Sequence, residues 1–261
     1  MTKPVYVRGL PVGSGIPKIC APVTAGDLPG ILSEVKAASE AGADLIEWRM
    51  DFWEEDRKEE KLEETLYAIS GAAPETPLIF TIRTEEEGGN LKLTAQEYMH
   101  LNQIAAESRK ADLIDVEYLQ DPDLMKDLIG KLRASGALVI ASTHDFMKTG
   151  AEDDLMGTFR TLDLSGADIL KMAVMASSEE DTERLMACTK RAADSLTRKP
   201  VITMAMGENG TRSRIEGELY GSSLTFGITG KASAPGQIPM AELRKELEAV
   251  HRKKEAEKIL Q

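Results

Sequence analysis

The sequence predicts a (β/α)8 barrel (TIM barrel), in which eight parallel strands alternate with helices. Eight short apolar or β-branched runs are separated by longer stretches in which Leu, Ile and Ala recur at helical spacing. Glycine follows the helical pattern and leads into a strand at Ala41 to Asp44, and again at Ser165 to Asp168, as expected at the end of a helix. The length of 261 residues also suits one such barrel.

The eight predicted strands are the runs Lys18 to Val23, Leu45 to Phe52, Leu78 to Thr84, Leu113 to Leu119, Leu138 to Phe146, Ile169 to Ala176, Pro200 to Gly207 and Ser223 to Thr229. A further short strand, Val5 to Arg8, precedes them, and we expect this strand or hairpin to close the barrel floor. An open doubly wound sheet is the competing fold. That fold usually carries a Gly-rich nucleotide-binding turn after its first strand, and Pro22 to Asp27 lacks this pattern. No linker divides the chain, so one barrel domain is expected over residues 1–261.

The overall charge argues against several classes of partner. At a formal net charge of −12, the surface as a whole is unsuited to nucleic acid or to an anionic membrane. The amino terminus has no apolar run typical of a signal peptide, and no run has the length of a membrane span, so we expect a cytoplasmic protein. Cys20 and Cys188 fit neither a disulfide framework nor a zinc motif, and we expect both to be reduced thiols.

The second strand departs from the apolar composition of a buried parallel strand. Glu47, Arg49 and Asp51 alternate with apolar residues and therefore share one face. Because the apolar face has to pack against helices, the charged face is predicted to point into the barrel mouth, where barrel enzymes build their sites. A self-neutralising network of ion pairs is the alternative explanation, although such burial is costly even for paired charges.

Two further strands each carry one residue suited to covalent or proton-transfer chemistry. Lys171 is the only charged residue in the sixth strand, and an ammonium among apolar neighbours loses hydration, which favours a nucleophilic amine. A structural ion pair is the equally weighted alternative. His144 ends the fifth strand, where an imidazole can give and take a proton near neutral pH. We expect Glu47 to orient His144.

Three arginines, two at strand ends and one in the helix after the seventh strand, are candidates for binding an anion. Arg49, Arg83 and Arg214 are expected to converge on a carboxylate. Asp115 and Glu117 share a face of the fourth strand and are predicted to pair with these arginines. Met204 and Met206 in the seventh strand are candidate apolar walls, with simple core packing as the alternative.

The segment Lys231 to Pro239 follows the eighth strand and is rich in small residues and proline. It is predicted to be either a loop that closes over the barrel mouth or an ordinary connector. Ser233 and Gln237 are its candidate contacts to a hydroxylated ligand, and Pro239 suits the first turn of the last helix.

Six segments, in order along nearly the whole chain, resemble one enzyme family. They are Glu-Trp-Arg-Met-Asp (47–51), Thr-Ile-Arg-Thr (81–84) with Glu-Gly-Gly (87–89), Ser-Thr-His-Asp-Phe (142–146), Leu-Lys-Met-Ala (170–173), Ser-Arg-Ile (213–215) and Lys-Ala-Ser-Ala-Pro-Gly-Gln (231–237). These segments resemble type I 3-dehydroquinate dehydratases of the shikimate pathway. The resemblance implies a (β/α)8 barrel, usually a homodimer, that removes water from 3-dehydroquinate without a metal or cofactor.

The resemblance also implies a role for each matching residue. Lys171 would form an imine with the substrate, His144 would act as general base and acid in a syn elimination, and Glu47 would pair with His144. Arg214 would bind the substrate carboxylate. Arg49, Arg83, Ser233 and Gln237 would hold hydroxyl groups or developing charge, and the pocket would be completed by Glu87, Met204, Met206, Phe226 and Ala234.

Two positions depart from the family pattern, and two other functions compete with it. Relatives often carry a small polar residue where this chain has Ala21, and Pro239 also stands at a variable position. A class I aldolase would share the lysine but often binds phosphate, for which Gly227 and Gly230 give only a weak indication. A catalytically silent barrel that binds a small acid is the non-enzymatic alternative, and it would not need Glu47, His144 and Lys171 together.

Overall fold

A short antiparallel hairpin opens the chain, and parallel strands follow it. The computed structural model describes residues 2–55, 57–118, 120–230 and 233–259. Its strands are β1 (Val5–Val7), β2 (Leu10–Val12), β3 (Lys18–Val23), β4 (Leu45–Arg49), β5 (Leu78–Thr81), β6 (Leu113–Glu117), β7 (Leu138–Asp145), β8 (Ile169–Met175), β9 (Val201–Met206), β10 (Leu224–Ile228) and β11 (Ile238–Pro239).

The strands β3 to β10 form the predicted barrel wall. Each pairs in parallel with the next along the chain from β3 to β9, and β10 pairs with β3. The remaining seam between β9 and β10 is closed by a parallel bridge between Val201 and Ser222, beside which Ser223 N–H donates to the Val201 carbonyl at 2.8 Å. The eight-strand prediction is therefore confirmed.

Helices follow the strands and cover the outside of the barrel. They are α1 (Leu28–Glu40), α2 (Glu59–Ala72), α3 (Ala95–Glu107), α4 (Pro122–Ala134), α5 (Glu152–Asp163), α6 (Glu179–Arg191), α7 (Thr211–Ile215), α8 (Gly217–Tyr220) and α9 (Met240–Ile259). Side chains cap several of them in the expected way: Asp27, Thr94, Asp121 and Ser178 each accept a backbone N–H of the first turn. Across the described ranges, no helix is both long and apolar enough to span a membrane.

Two of the predicted strands end three residues earlier than their sequence pattern suggested. The second stops at Arg49, and Met50–Phe52 form a 3-10 turn; the third stops at Thr81. The parallel ladder ends there because the chain turns away to form the barrel mouth. The predicted end of the fourth strand, Leu119, lies outside the described residues.

Side chains at every second strand position fill the barrel interior in layers. The lowest layer is apolar and is continued downward by Val7 and Val12 of the β1–β2 hairpin, which are 1% and 0% exposed. The hairpin therefore closes the floor, as predicted. Two residues further along the strands, the inward positions become polar, with Glu47, Asp115 and Lys171 among them. The alternation thus carries the charged residues to the carboxyl-terminal end of the barrel.

Candidate active site

Lys171 lies on β8 with only 4% of its surface exposed, and its amine faces two carboxylates. Its Nζ donates to Asp115 Oδ2 at 2.9 Å and to Glu47 Oε1 at 3.3 Å, and it lies 4.8 Å from the centre of the Phe226 ring. The expectation of an ammonium among apolar neighbours is therefore wrong. The apolar neighbours in sequence share the strand with Lys171, but the side chains that face its amine come from across the barrel. The lysine is both paired and directed at the barrel mouth.

His144 lies at the end of β7, and its ring is held by Glu87. The distance from His144 Nδ1 to Glu87 Oε2 is 2.8 Å, which leaves Nε2 as the nitrogen available to a ligand. Burial lowers the pKa of His144 well below its ordinary value, and the neighbouring Arg83 and Lys171 cations lower it further. The imidazole is therefore neutral at neutral pH and can accept a proton.

The expected pairing of Glu47 with His144 is wrong. Glu47 accepts hydrogen bonds from Lys171 and from Thr81 Oγ1 at 2.9 Å, and within the described part of the chain no Glu47–His144 bond is present. Glu47 lies two positions before Arg49, the last residue of β4, and its carboxylate faces Lys171 instead of His144. Glu87 instead reaches the imidazole from the 3-10 turn Glu85–Glu87 after β5. Burial raises the pKa of Glu87, and the Arg83 guanidinium opposes the rise.

The three buried arginines differ in how they are paired. Arg83 donates to Asp115 and to Glu117 at 2.8 Å each, which confirms the prediction that these carboxylates pair with an arginine of the site. Arg49 donates through Nε and Nη2 to Asp51 at 2.7 and 2.8 Å. These two guanidiniums are thus neutralised within the protein.

Arg214 is the exception among these arginines. It is 1% exposed and faces no carboxylate among the described residues; its Nη2 donates to the Pro235 carbonyl at 3.0 Å, its Nη1 lies 3.8 Å from Met204 Sδ, and its Nε has no partner there. Burial without a counter-ion lowers the pKa of Arg214 to about 10. A buried guanidinium in this state is a site for an anion. Three arginines were predicted to bind one carboxylate. Since Arg49 and Arg83 are paired with carboxylates of the protein, Arg214 alone of the three is left as the candidate for this role.

One cavity at the barrel mouth brings these groups together. Its lining consists of Glu47, Arg49, Arg83, Gly88, His144, Phe146, Lys171, Ala173, Met204, Met206, Arg214, Phe226, Ser233, Ala234 and Gln237. Of the residues to which the family resemblance assigns a role, Glu87 alone is not in the lining, and it contacts the lining residue His144. Met204 and Met206 line the cavity and also belong to the apolar interior, so both readings of these residues hold.

Sequence reasoning missed Gly88, Phe146 and Ala173 as lining residues. All three lie in segments that resemble the family, where other residues had been chosen as candidates. For Ala173 the strand spacing could have predicted its place, because it lies two positions after Lys171 on the same inward face. Ala21, in contrast, is fully buried in the apolar layer between strands and helices and does not line the cavity. A side chain at this position therefore makes no contact with the cavity.

Ser233, Ala234 and Gln237, in the described part of the segment after β10, line the cavity. Ser233 N–H donates to Gln237 Oε1 at 2.8 Å, and Gln237 Nε2 donates back to Ser233 Oγ at 3.1 Å. Lys231 and Ala232 lie outside the described residues. Pro239 was expected in the first turn of the last helix, but it belongs to β11, which pairs with β10 before α9 begins at Met240. An edge strand tolerates proline because no ladder hydrogen bond is lost there.

The sequence model of the family described as type I 3-dehydroquinase matches residues 19–254. The chain belongs to this family. The region of the match includes every residue of the eight barrel strands except Lys18, and every residue of the cavity lining. No cluster of three or more His, Cys, Asp or Glu suited to a metal ion is present among the described residues.

Individual relatives agree with the family assignment. The chain is 40% identical to 3-dehydroquinate dehydratase of Klebsiella pneumoniae over 244 residues, covering 94% of this chain and 97% of that protein. It is 38% identical to the enzyme of the same name from Bacillus licheniformis over 252 residues, covering 97% and 99% of the two chains. The crystal structure of type I 3-dehydroquinate dehydratase from Clostridium difficile, covalently modified by comenic acid, superimposes with a TM-score of 0.93 at 34% identity, covering 97% of this chain and all of that one.

Proposed function

We propose that this chain dehydrates 3-dehydroquinate to 3-dehydroshikimate through an imine on Lys171. One observation carries the proposal: a buried amine, a neutral imidazole and a buried guanidinium without a counter-ion line the same cavity. Elimination of water next to a ketone requires an electron sink, a base and an acid, and the substrate's carboxylate requires a cation. The family assignment supplies the substrate.

The first step is imine formation. Glu47, 3.3 Å from Lys171 Nζ, takes the proton that leaves the ammonium, and the free amine attacks the C3 carbonyl carbon. The resulting carbinolamine loses water and becomes an iminium ion. We therefore keep Glu47 among the catalytic residues, but as the proton acceptor for Lys171 rather than as the partner of His144. Lys171, His144 and Glu47 together form the proposed catalytic set.

The elimination follows on the covalent intermediate. The iminium ion makes the C2 proton acidic, and neutral His144 removes it to give an enamine. The imidazolium then returns this proton to the C1 hydroxyl as the C1–O bond breaks, which one residue can do when both groups leave from the same face. Proton transfer of this kind contributes roughly 10²–10⁴-fold. Glu87 holds the ring in place through Nδ1 during both transfers. Water finally hydrolyses the product imine and releases the amine.

Binding of the substrate is assigned to the remaining cavity residues. Arg214 takes the carboxylate, which provides the anion that the buried guanidinium lacks. Arg49, Arg83, Ser233 and Gln237 provide donors and acceptors for hydroxyl groups. The pocket wall consists of Met204, Met206, Phe226 and Ala234, with Glu87 behind His144.

Trapping the intermediate tests the proposal directly. Incubation with 3-dehydroquinate and borohydride, followed by mass spectrometry, should show one reduced adduct on Lys171 in the wild type and none in Lys171→Ala. The His144→Ala variant should still form the imine but lose turnover. Lys18→Ala is the matched control, because Lys18 is a partly buried lysine at the opposite end of the barrel, and it should keep the adduct. A folded wild-type protein that traps no substrate would contradict the proposal.

We further propose a cytoplasmic homodimer whose single domain spans residues 1–261 and whose reaction needs no cofactor. The family resemblance supports the dimer, and the iminium ion itself supplies the electron sink that a cofactor would otherwise provide. Sedimentation analysis measures the oligomeric state, and turnover after exhaustive treatment with a chelator measures the need for a metal.

A further inference from the structure

Asp51 is a fully buried carboxylate whose place in the proposed reaction is not yet assigned. The sequence put it on the inward face of the second strand with Glu47 and Arg49. The 3-10 turn Met50–Phe52 instead rotates it away from the cavity, which it does not line. Its side chain has no exposed surface. Burying a carboxylate costs free energy unless hydrogen bonds and opposite charges replace its hydration. The groups that bind Asp51 therefore indicate its role.

The first partner of Asp51 is the guanidinium of Arg49. Nε and Nη2 of Arg49 donate two parallel hydrogen bonds to the carboxylate, at 2.7 and 2.8 Å. The guanidinium carbon of Arg49 also lies over the Phe52 ring, 5.0 Å from the ring centre. This two-point contact fixes the plane of the guanidinium as well as its position. The edge of Arg49 that carries Nη1 remains available to the cavity, which Arg49 lines.

The second partner is the turn that carries Glu87. Asp51 Oδ2 accepts from Asn90 Nδ2 at 3.1 Å and from Asn90 N–H at 3.3 Å, and Asp51 Oδ1 accepts from the Arg83 N–H just before the turn at 3.4 Å. Asn90 closes the segment that begins at Thr84, in which Gly89 N–H donates to the Thr84 carbonyl at 2.7 Å. The same segment presents Glu87 to His144. Asp51 therefore binds the end of the turn whose Glu87 contacts the His144 imidazole.

We infer that Asp51 is a positioning residue that fixes Arg49 and the Glu87 turn relative to each other, an assignment that rests on the proposed function. The Asp51 carboxylate binds both Arg49, which lines the cavity, and the turn whose Glu87 contacts His144. A displacement of about 1 Å at either place costs on the order of 10²-fold in rate. Loss of the carboxylate should thus affect binding through Arg49 and chemistry through Glu87 and His144.

The Asp51→Asn variant keeps the shape of the side chain but replaces an acceptor oxygen by a donor NH2 group. We expect KM to rise and kcat to fall, each by about tenfold or more, while borohydride still traps the imine on Lys171. Asn90→Ala removes the side-chain contact of the turn with Asp51 and keeps the Asn90 N–H contact. It should lower kcat with little change in KM. Combining it with Asp51→Asn should lower kcat by less than the product of the two single effects, because both act through the same turn.

Asp44→Asn is the matched control. Asp44 immediately precedes the same strand, β4, at the opposite end of the barrel, where it accepts from Ile19 N–H at 2.7 Å and from Arg244 Nη1 at 3.0 Å. Its replacement removes a comparable aspartate–arginine pair and a backbone contact. It should lower the melting temperature and leave kcat and KM unchanged.

The outcomes separate this inference from the function on which it rests. If the wild type neither turns over nor traps 3-dehydroquinate, both are overturned. If the wild type does both and Asp51→Asn behaves like Asp44→Asn, the role of Asp51 alone is overturned. If Asp51→Asn does not fold, Asn90→Ala decides, since Asn90 is exposed and its loss does not open the core: unchanged kcat in that variant overturns the inference.

Discussion

At the scale of single residues, the proposed proton transfer depends on the charge state of His144. Burial and two neighbouring cations keep the pKa of this imidazole below its ordinary value, so the neutral base is present at every pH above that lowered pKa. Because kcat/KM reports the free enzyme, it should fall only as the pH drops below the lowered pKa, on the acid side of about 6.5. A pH–rate profile measures this limb.

Two variants assign the limb to His144. His100→Ala should leave the profile unchanged, since His100 is exposed on α3. Glu87→Gln should slow the reaction but keep an acid limb, which excludes Glu87 as the group that titrates. A limb centred at or above pH 6.5 in the wild type would contradict the burial effect.

Most residues of the candidate site could be predicted from the sequence, but their pairing could not, apart from that of Asp115 and Glu117 with an arginine. Lys171, His144 and the arginines were recognisable because charges are rare in buried parallel strands. Which carboxylate faces which cation depends on the layer and on the strand across the barrel, and neither is encoded locally. Glu47 was therefore assigned to His144, although it lies beside Lys171, and the free charge of Arg214 became visible only in three dimensions.

At the scale of elements, the turn after β5 depends on Gly88. Gly88 has φ of +78°, and a Cβ placed there would lie 2.5 Å from the Phe146 ring. Gly88→Ala should therefore shift the turn, weaken the Glu87–His144 contact and lower kcat by at least about tenfold, while imine trapping on Lys171 persists. Steady-state kinetics together with borohydride trapping measure the two effects separately.

Gly42 provides the control for backbone strain alone. It has φ of +79°, follows α1 at the other end of the barrel, and a Cβ there would meet nothing within 4 Å. Gly42→Ala should cost about 1–2 kcal/mol of stability through the left-handed conformation but leave kcat unchanged. Equal kinetic effects of the two alanines would show that strain, and not the displaced turn, is responsible.

Strands could be predicted from the sequence where their pattern of apolar residues was regular. All eight barrel strands and the floor strand follow from alternating apolar runs. The predictions failed where the chain leaves the ladder, at Met50–Phe52 and at Pro239. At these places the path is set by contacts with distant segments, such as Asn90 on Asp51 and β10 against β11. Local propensity does not contain such contacts.

At the scale of the whole molecule, the barrel separates stability from catalysis along its axis. The floor is apolar and closed by the β1–β2 hairpin, whereas the charged and reactive groups lie at the carboxyl-terminal ends of the strands. A defect in the floor should therefore weaken the fold without reaching the cavity. Val12 is suited to this test because it is fully buried in the hairpin that closes the barrel floor, whereas Lys171 lines the cavity at the barrel mouth.

The Val12→Ala variant should lower the free energy of unfolding by about 1–3 kcal/mol, because it removes two buried methyl groups and leaves a small void. Its kcat and KM should match the wild type well below the melting temperature, and the adduct on Lys171 should form as before. Denaturant unfolding and steady-state kinetics on the same preparation check both parts. A large loss of kcat in a protein that is still folded would show that the floor and the mouth are mechanically coupled, against the separation inferred from the layers.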